Sequence, residues 1–322
     1  MRIVIVGLGS MGTRRIRLLK EMYPEFTLIG VDNKEIRRIE VREKYNIECY
    51  ESLRVIELNI DCVFVCTSPL FHYEIICEAL SRESHVFTEL NLIPDGYEEM
   101  IRLAEEKSRV LFLSSPFLYR EEMQYIRSRV TGGKWNYIYH IGQYLPDWHP
   151  WEKYQEIFLA ERRTNGCREI LSIELPWLTE TFGNVQEYSV MSDKMTDLNI
   201  KYKDNYMIQL KHADENKGVL IVDVVSPVAV RRLEVYKEKQ YLAWNGTPES
   251  LSEYSYQLGK LEKANLSENT EHLEGYNAFI IENAYKNEMQ AFFRVIQTGE
   301  KPVYGYEKDL KILRMIDAMG VD

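Results

Sequence analysis

The chain has 322 residues, with 40 Lys and Arg against 50 Asp and Glu, a formal net charge of −10 at pH 7. At about 150 residues per domain this length suggests two domains. With 45% apolar and 28% charged residues, the composition excludes a disordered chain, a collagen and a membrane protein, and the acidic balance argues against the basic face that nucleic acid requires.

The first third alternates short apolar runs with helical periods. Arg2–Val6 is a β-branched run stopped by Gly7. Ile16, Leu19 and Tyr23 then recur at the spacing of one helix face. Strands are expected at 26–31, 62–66, His85–Thr88 and 110–113, with helices over 34–45, 69–82 and 95–107. Strand then helix, repeated over short connections, means a parallel sheet with helices packed on it. Val63-Phe64-Val65 does not alternate, as expected where both faces of a strand are covered.

After about residue 117 the texture changes. Residues 135–145 alternate in strand fashion, and 206–210, 219–225 and 232–236 are further strands, separated by turn signals at Asp204-Asn205 and Asn216-Lys217-Gly218. This reads as a mostly antiparallel sheet, interrupted by a helix at 166–182. The polar stretch 246–275 is expected to be loop with some helix. Near the C-terminus Tyr285, Met289, Phe292, Phe293 and Ile296 share one helix face, a core stripe that stops at Thr298-Gly299.

Gly7-Leu8-Gly9-Ser10-Met11-Gly12 is a GxGxxG pattern. It directly follows a strand and opens a helix, the context in which the pattern is informative. Gly7 permits the tight turn, Gly9 lets the backbone approach a pyrophosphate, and Gly12 lets helix and strand pack closely. The phosphates would sit on the helix N-terminus, where free N–H groups and the helix dipole favour negative charge. Asp32 stands twenty residues after Gly12, where a carboxylate binds ribose hydroxyls and repels a 2′-phosphate. That predicts NAD over NADP, a preference tempered by Arg37 and Arg38 a turn further on. A glycine-rich turn without a ligand is the rival reading.

With these residues in place, the sequence resembles the Gfo/Idh/MocA oxidoreductases over nearly its whole length. The glycine turn and Asp32 are joined by the segment from Asp61 to Pro69, which carries Thr67-Ser68-Pro69 and is followed by His72. It is similar to the family's strand-four segment, whose Thr-x-Pro turn borders the nicotinamide. His85-Val86-Phe87-Thr88-Glu89 resembles the strand leading to the family's Glu-Lys-Pro motif, and Thr298-Gly299-Glu300-Lys301-Pro302 is also typical. The resemblance implies an α/β Rossmann domain (a doubly wound parallel sheet) over 1–117, then an α+β domain over 118–322 with a mostly antiparallel open sheet. That sheet often serves as an oligomer interface in the family, which implies a homodimer or homotetramer. It also implies hydride transfer to or from a sugar, inositol or related polyol. Within the family, the run from Gln143 to Trp151, followed by Tyr154, resembles homologues associated with surface-polysaccharide and nonulosonate sugar biosynthesis.

The departures are as informative as the matches. The family's catalytic Lys would stand at Leu90, and the Pro after it is Asn91. The catalytic His would fall at Ile173, and the Asp three residues on is Pro176. Glu169 and Glu174 survive nearby. Oxidising an alcohol by hydride transfer also removes a hydroxyl proton, and a positioned base typically contributes about 10²–10⁴-fold. Leu90 and Ile173 cannot serve. The candidates are Glu169, His149 and Tyr154, with Lys153 behind them. His149 titrates in the right range and stands among Trp148, Pro150 and Trp151, which form either a sugar platform or an exposed strand end. His72 is either near the cofactor, as the resemblance implies, or a capping or core histidine. Glu89 ends a strand where ligands of such sheets bind; the alternative is a solvated charge. The expected cofactor contacts are Gly7, Gly9, Ser10, Met11, Gly12, Asp32, Thr67, Ser68, Pro69, His72 and Glu89.

Cys62 and Cys66, four residues apart on a strand, are too distant to share a metal, and no Cys/His set has ligand spacing, so no metal is expected. Five cysteines without paired spacing point to a reducing cytoplasm. The opening apolar stretch carries its Arg residues after it, so a secretory leader is not expected. Two functional readings follow. The chain is an NAD(H)-dependent oxidoreductase acting on a sugar or nucleotide-activated sugar, or a dinucleotide-binding homologue that has lost proton transfer and serves as partner or regulator.

Overall fold

The computed structural model describes residues 1–148, 150, 152–266 and 281–321. They divide into two compact units, Met1–Ser115 with Lys286–Lys311, and Pro116–Tyr285 with Ile312–Asp322.

The first unit is built on six parallel strands: β1 (Arg2–Val6), β2 (Thr27–Val31), β3 (Glu48–Tyr50), β4 (Cys62–Val65), β5 (His85–Thr88) and β6 (Leu111–Leu113), in the order β3-β2-β1-β4-β5-β6. Ile3 of β1 lies opposite both Leu28 of β2 and Cys62 of β4, so the order reverses on either side of β1. Ligands of such sheets bind outside the carboxyl ends of the strands at that reversal. Every residue of β4 is buried, which explains its unbroken apolar run. Helices α1 (Ser10–Met22), α2 (Glu35–Tyr45), α3 (His72–Ser81) and α4 (Tyr97–Glu106) are the connections.

A row of three stacked rings runs along the β4-β5-β6 half of this sheet. Phe64 of β4 and Phe87 of β5 lie 4.7 Å apart, and Phe87 and Phe112 of β6 lie 5.4 Å apart. Phe292 comes edge-on to all three at 5.5–5.6 Å. Edge-to-face and offset rings at these distances contribute beyond their buried area. The expected stripe is therefore core: Met289 and Phe292 are fully buried and Phe293 nearly so.

In the second unit an eight-stranded sheet runs β14-β13-β12-β11-β7-β10-β9-β8. Its strands are β7 (Asn136–Gly142), β8 (Val185–Asp193), β9 (Asn205–His212), β10 (Lys217–Asp223), β11 (Val230–Lys237), β12 (Gln240–Trp244), β13 (Ser252–Ser255) and β14 (Lys260–Lys263). Its pairs are antiparallel except β7 with β10. In β9 and β10 buried and exposed residues alternate, the signature of a sheet covered on one face. Helices α5 (Glu121–Arg129) and α6 (Gly166–Phe182) belong to this unit. The remaining helices are α7 (Glu282–Thr298) and α8 (Tyr306–Ala318).

Helix α6 matches its expected span. Asn165 caps it by accepting the Arg168 N–H at 2.8 Å, and Gly183 ends it at φ +91°. The stretch 246–275 departs from expectation: β13 and β14 form a hairpin, and the part from 267 onward lies outside the described residues. Its strands carry Ser, Glu and Lys at an edge, so no apolar alternation marks them. The same reason hides β8, most of whose residues are exposed. Among the described residues no helix is long and apolar enough to cross a membrane. Nor do three metal-ligating side chains gather among them.

Candidate functional site

The turn between β1 and α1 is built from its glycines. Gly7 has φ +94°, and a Cβ there would meet the Cys66 carbonyl oxygen at 2.6 Å. A Cβ on Gly12 would lie 1.8 Å from the Gly7 carbonyl oxygen. The fold itself demands both residues. Gly9 differs: a Cβ there would meet only the Arg37 guanidinium, at 3.7 Å or beyond. Only the end of a flexible side chain, and no backbone, covers Gly9. Gly9 is also the N-cap of α1, and no side chain caps that end. Its first-turn N–H groups, including those of Ser10 and Met11, present the positive end of the helix dipole. Ser10 is exposed and Met11 half-buried.

Asp32 closes one side of this turn and is buried. Its Oδ2 accepts the Leu8 N–H and its Oδ1 the Lys34 N–H, both at 2.8 Å. At the end of β4, Thr67 Oγ1 and Ser68 Oγ are shielded from solvent and have no hydrogen-bond partner among the described residues. Such orphaned hydroxyls are uncommon in folded proteins. Pro69 opens a short 3-10 turn leading into α3. His72 is buried: its Nδ1 meets the Asn91 side-chain oxygen, and its Nε2 lies 3.0 Å from the Thr67 carbonyl. Burial lowers the His72 pKa against the opposing effect of these bonds. Asn91, standing where the resemblance expects Pro, thus ties His72 to the Thr67 turn.

Glu89 is fixed by a partner that the sequence did not suggest. Arg15, fully buried in α1, donates through Nε to Glu89 Oε1 at 2.6 Å and through Nη2 to Glu288 Oε2 at 2.8 Å. Ser114 Oγ donates to Glu288 Oε2 at 3.0 Å, and the Ser115 N–H donates to its Oε1 at 2.5 Å. Burial opposes the Arg15 charge, but the two carboxylates outweigh it and hold the guanidinium protonated. Burial pushes Glu288 up to about 7 despite Arg15. Leu90, next to Glu89, is half-buried.

In the second unit Glu169 stands in the first turn of α6. Its Oε2 is shielded from solvent and has no hydrogen-bond partner among the described residues, and burial raises its pKa to about 7. A carboxyl in this state gives up and takes back a proton near neutral pH. The Tyr154 hydroxyl is committed elsewhere, accepting the Asn199 N–H at 3.1 Å. His149 and Trp151 lie outside the described residues. Trp148 donates its indole N–H to the Gln143 carbonyl at 2.9 Å.

Glu169 also carries a stability prediction. An acid with a raised folded pKa binds more protons folded than unfolded, so stability is greatest in acid and falls as pH rises from about 4.5 to about 7. Glu169→Gln is expected to remove this contribution, on the order of 3 kcal/mol between pH 5 and pH 8. Denaturant melts at both pH values check it; an unchanged pH dependence would show that the carboxyl is not protonated in the fold.

A buried acid of the same helix, Glu174, was visible in the sequence as a survivor, but its partners were not. Glu174 accepts from the Tyr139 hydroxyl at 2.8 Å, the Trp177 indole at 2.7 Å and Arg231 Nη1 at 2.5 Å. The Arg231 guanidinium lies 4.5 Å from the centroid of the Phe117 ring, which Arg120 approaches at 4.8 Å. The available signal was an acid inside the apolar run Ile173-Glu174-Leu175-Pro176-Trp177, which must find a partner if the run is buried.

Residues 1–115 match the model of the Gfo/Idh/MocA oxidoreductase family, described as an NAD-binding Rossmann fold. Biliverdin reductase A of Mus musculus is 30% identical over 135 residues, 40% of this chain and 44% of the relative. The chain thus spans less than half the length of that relative. Among solved structures, an oxidoreductase from Agrobacterium radiobacter in complex with NAD+, L-tartaric acid and magnesium has a TM-score of 0.83 at 13% identity. That likeness covers 99% of this chain and 94% of that one. UDP-N-acetylglucosamine 3-dehydrogenase from Acidithiobacillus ferrooxidans has a TM-score of 0.78 at 14% identity, over 99% and 96%. At such identities these likenesses establish a shared fold across both units. Residues 1–115 thus have the nicotinamide-dinucleotide-binding Rossmann fold that this model describes.

Proposed function

We propose that the chain is an NAD(H)-dependent oxidoreductase acting on a sugar or nucleotide-activated sugar in surface-polysaccharide biosynthesis. The observation that carries the coenzyme reading is the pair of orphaned hydroxyls, Thr67 Oγ1 and Ser68 Oγ, at the strand ends of a sheet whose Gly9 turn is covered by a side chain alone. In this reading the α1 N-terminus holds the pyrophosphate and Asp32 faces the adenosine ribose. Thr67 and Ser68 bond the nicotinamide end, while His72 and Asn91 hold their turn in place. The bound nicotinamide supplies hydride transfer. The chain's own task is the proton that leaves the alcohol oxygen, and Glu169 takes it, a role supported by its missing partner and its pKa of about 7. His149 and Tyr154 complete the candidate set. A homodimer or homotetramer belongs to the same proposal, as does a cytoplasmic setting. The UDP-sugar dehydrogenase among the fold's relatives supports the substrate class.

Calorimetric titration with NADH tests the coenzyme site. Thr67→Val combined with Ser68→Ala is expected to weaken binding about tenfold, two hydrogen bonds at about 0.5–1.5 kcal/mol each. Unchanged affinity would place the coenzyme elsewhere. Nicotinamide absorbance with a panel of sugar nucleotides tests turnover, and Glu169→Gln is expected to lower kcat while sparing NADH affinity. The second reading, a dinucleotide-binding partner without turnover, is favoured by Leu90 and Ile173. It prevails if NADH binds and no sugar is oxidised or reduced.

A further inference from the structure

The buried cluster of Arg15, Glu89 and Glu288 sets two acids against one base. Arg15 and Glu288 are fully buried, and Glu89 keeps 12% of its side chain exposed. With both carboxyls ionised the three groups carry a net charge of −1 in a place largely closed to water. Two carboxylates that share one buried cation cannot both stay ionised without cost, so one of them is poised to take a proton. Glu288 is that one: burial lifts it to about 7, with Glu89 adding to the effect, against the pull of Arg15 and the Ser115 N–H. The other titratable groups facing the cluster do not compete. Burial, helped by Glu89, holds Cys66 as a neutral thiol, and burial holds His72 as a neutral ring against the pull of Glu89. From β5 the Phe87 ring faces the Arg15 guanidinium at 4.5 Å, and from the end of β6 come the Ser114 hydroxyl and the Ser115 N–H.

The cluster stands beside the turn assigned above to the nicotinamide. The Glu89 N–H donates to the Val65 carbonyl at 2.9 Å, and the orphaned Thr67 hydroxyl follows Val65 by two residues. The nicotinamide ring is itself a group that changes charge, a cation when oxidised and neutral when reduced. A buried net charge of −1 beside it favours the cation, and a neutral cluster does not.

We propose that Arg15, Glu89 and Glu288 set the balance between oxidised and reduced nicotinamide dinucleotide: with both carboxyls ionised the site prefers the oxidised form, and with Glu288 protonated it loses that preference. This rests on the dinucleotide site proposed above and adds to it a link to pH. Rising pH strips the proton from Glu288 and tightens NAD+ more than NADH; falling pH restores the proton and erases the difference. The link is reciprocal: the proton that weakens the oxidised coenzyme is expelled when that coenzyme binds, and is regained when the ring becomes neutral. The cluster makes and breaks no bond of the substrate. It exchanges its proton with water on the side of Glu89, the one of the three that is open to solvent.

Calorimetric titration of the full-length chain with NAD+ and with NADH from pH 6 to pH 8.5, each in two buffers of different ionisation enthalpy, tests it. The ratio of NAD+ affinity to NADH affinity is expected to rise about five- to tenfold over that range, the effect of one buried charge. Near pH 7, NAD+ binding is expected to release more protons than NADH binding. Glu288→Gln keeps an oxygen for Arg15 and cannot ionise, so it should flatten the ratio. Ser114→Ala leaves every charge in place and removes a hydroxyl that donates to the Glu288 carboxylate, so it should move the midpoint to higher pH; it decides the matter if Glu288→Gln does not fold. A ratio that ignores pH in the natural chain, one that keeps its pH dependence in Glu288→Gln, or an unmoved midpoint in Ser114→Ala would overturn the proposal. Failure of both coenzymes to bind a chain that melts normally would instead overturn the dinucleotide site itself, and this proposal with it.

Discussion

Gly12→Ala is expected to abolish dinucleotide binding and to cost roughly 2–4 kcal/mol of stability, the range of an overpacked site that cannot relax. The added methyl would lie 1.8 Å from the Gly7 carbonyl oxygen. That oxygen belongs to a residue at φ +94° whose N–H donates to the Val31 carbonyl at 2.8 Å. It cannot retreat without pulling β1 from β2 or lifting α1 off the sheet, and either movement disperses the N–H groups at the helix start. Gly9→Ala is the contrasting case. Its methyl meets only the end of a flexible arginine at 3.7 Å, so the fold should keep its stability while the coenzyme loses its close approach. Thermal melts paired with NADH titrations separate the two. Loss of stability in both variants, or of binding in neither, would remove the pyrophosphate from this turn.

Arg15→Met is the second large effect. It replaces a buried guanidinium with an apolar chain of similar length and leaves Glu89 and Glu288 facing each other without a cation. Removing one partner of a buried ion pair typically costs about 3–5 kcal/mol. The sign of the pH dependence follows from Glu288. Its folded pKa of about 7 lies above its unfolded value, so the stability it lends is present in acid and is lost as pH rises through 7. Without Arg15 that dependence steepens. The variant should be most damaged at pH 8 and partly recovered at pH 5.5, where the carboxyl takes up a proton. Denaturant melts at the two pH values check it; equal damage at both would show that the carboxylates find another partner.

What the sequence revealed, and what it withheld, divides by distance along the chain. Gly7, Gly9 and Gly12 announce a turn because the constraints are local, and Val63-Phe64-Val65 announces a covered strand because burial on both faces erases alternation. Arg15 and Glu288 are separated by 272 intervening residues, and nothing in either neighbourhood names the other. Glu89 was legible as a strand-end acid, but its ion pair was not. Glu174 and Arg231 are linked the same way, across strands that meet only in the folded sheet. The parallel pairing of β7 with β10 is a property of topology rather than of either strand's composition. Glu169 was visible as a surviving acid, yet its lack of a partner is a fact of packing.

The ring of Phe292 over Phe64, Phe87 and Phe112, together with Glu288 against Arg15, has a consequence for how the polypeptide matures on the ribosome. Strands β1 to β6 emerge early, but the segment that covers their aromatic row and brings the second carboxylate to the buried Arg15 is translated some 170 residues after β6. Until residues 286–311 leave the exit tunnel, the nascent sheet exposes an apolar stripe, the kind of surface that recruits chaperones or associates wrongly. Late docking of the distal helix, rather than completion of the sheet, is then the step that commits the newborn chain to its native state.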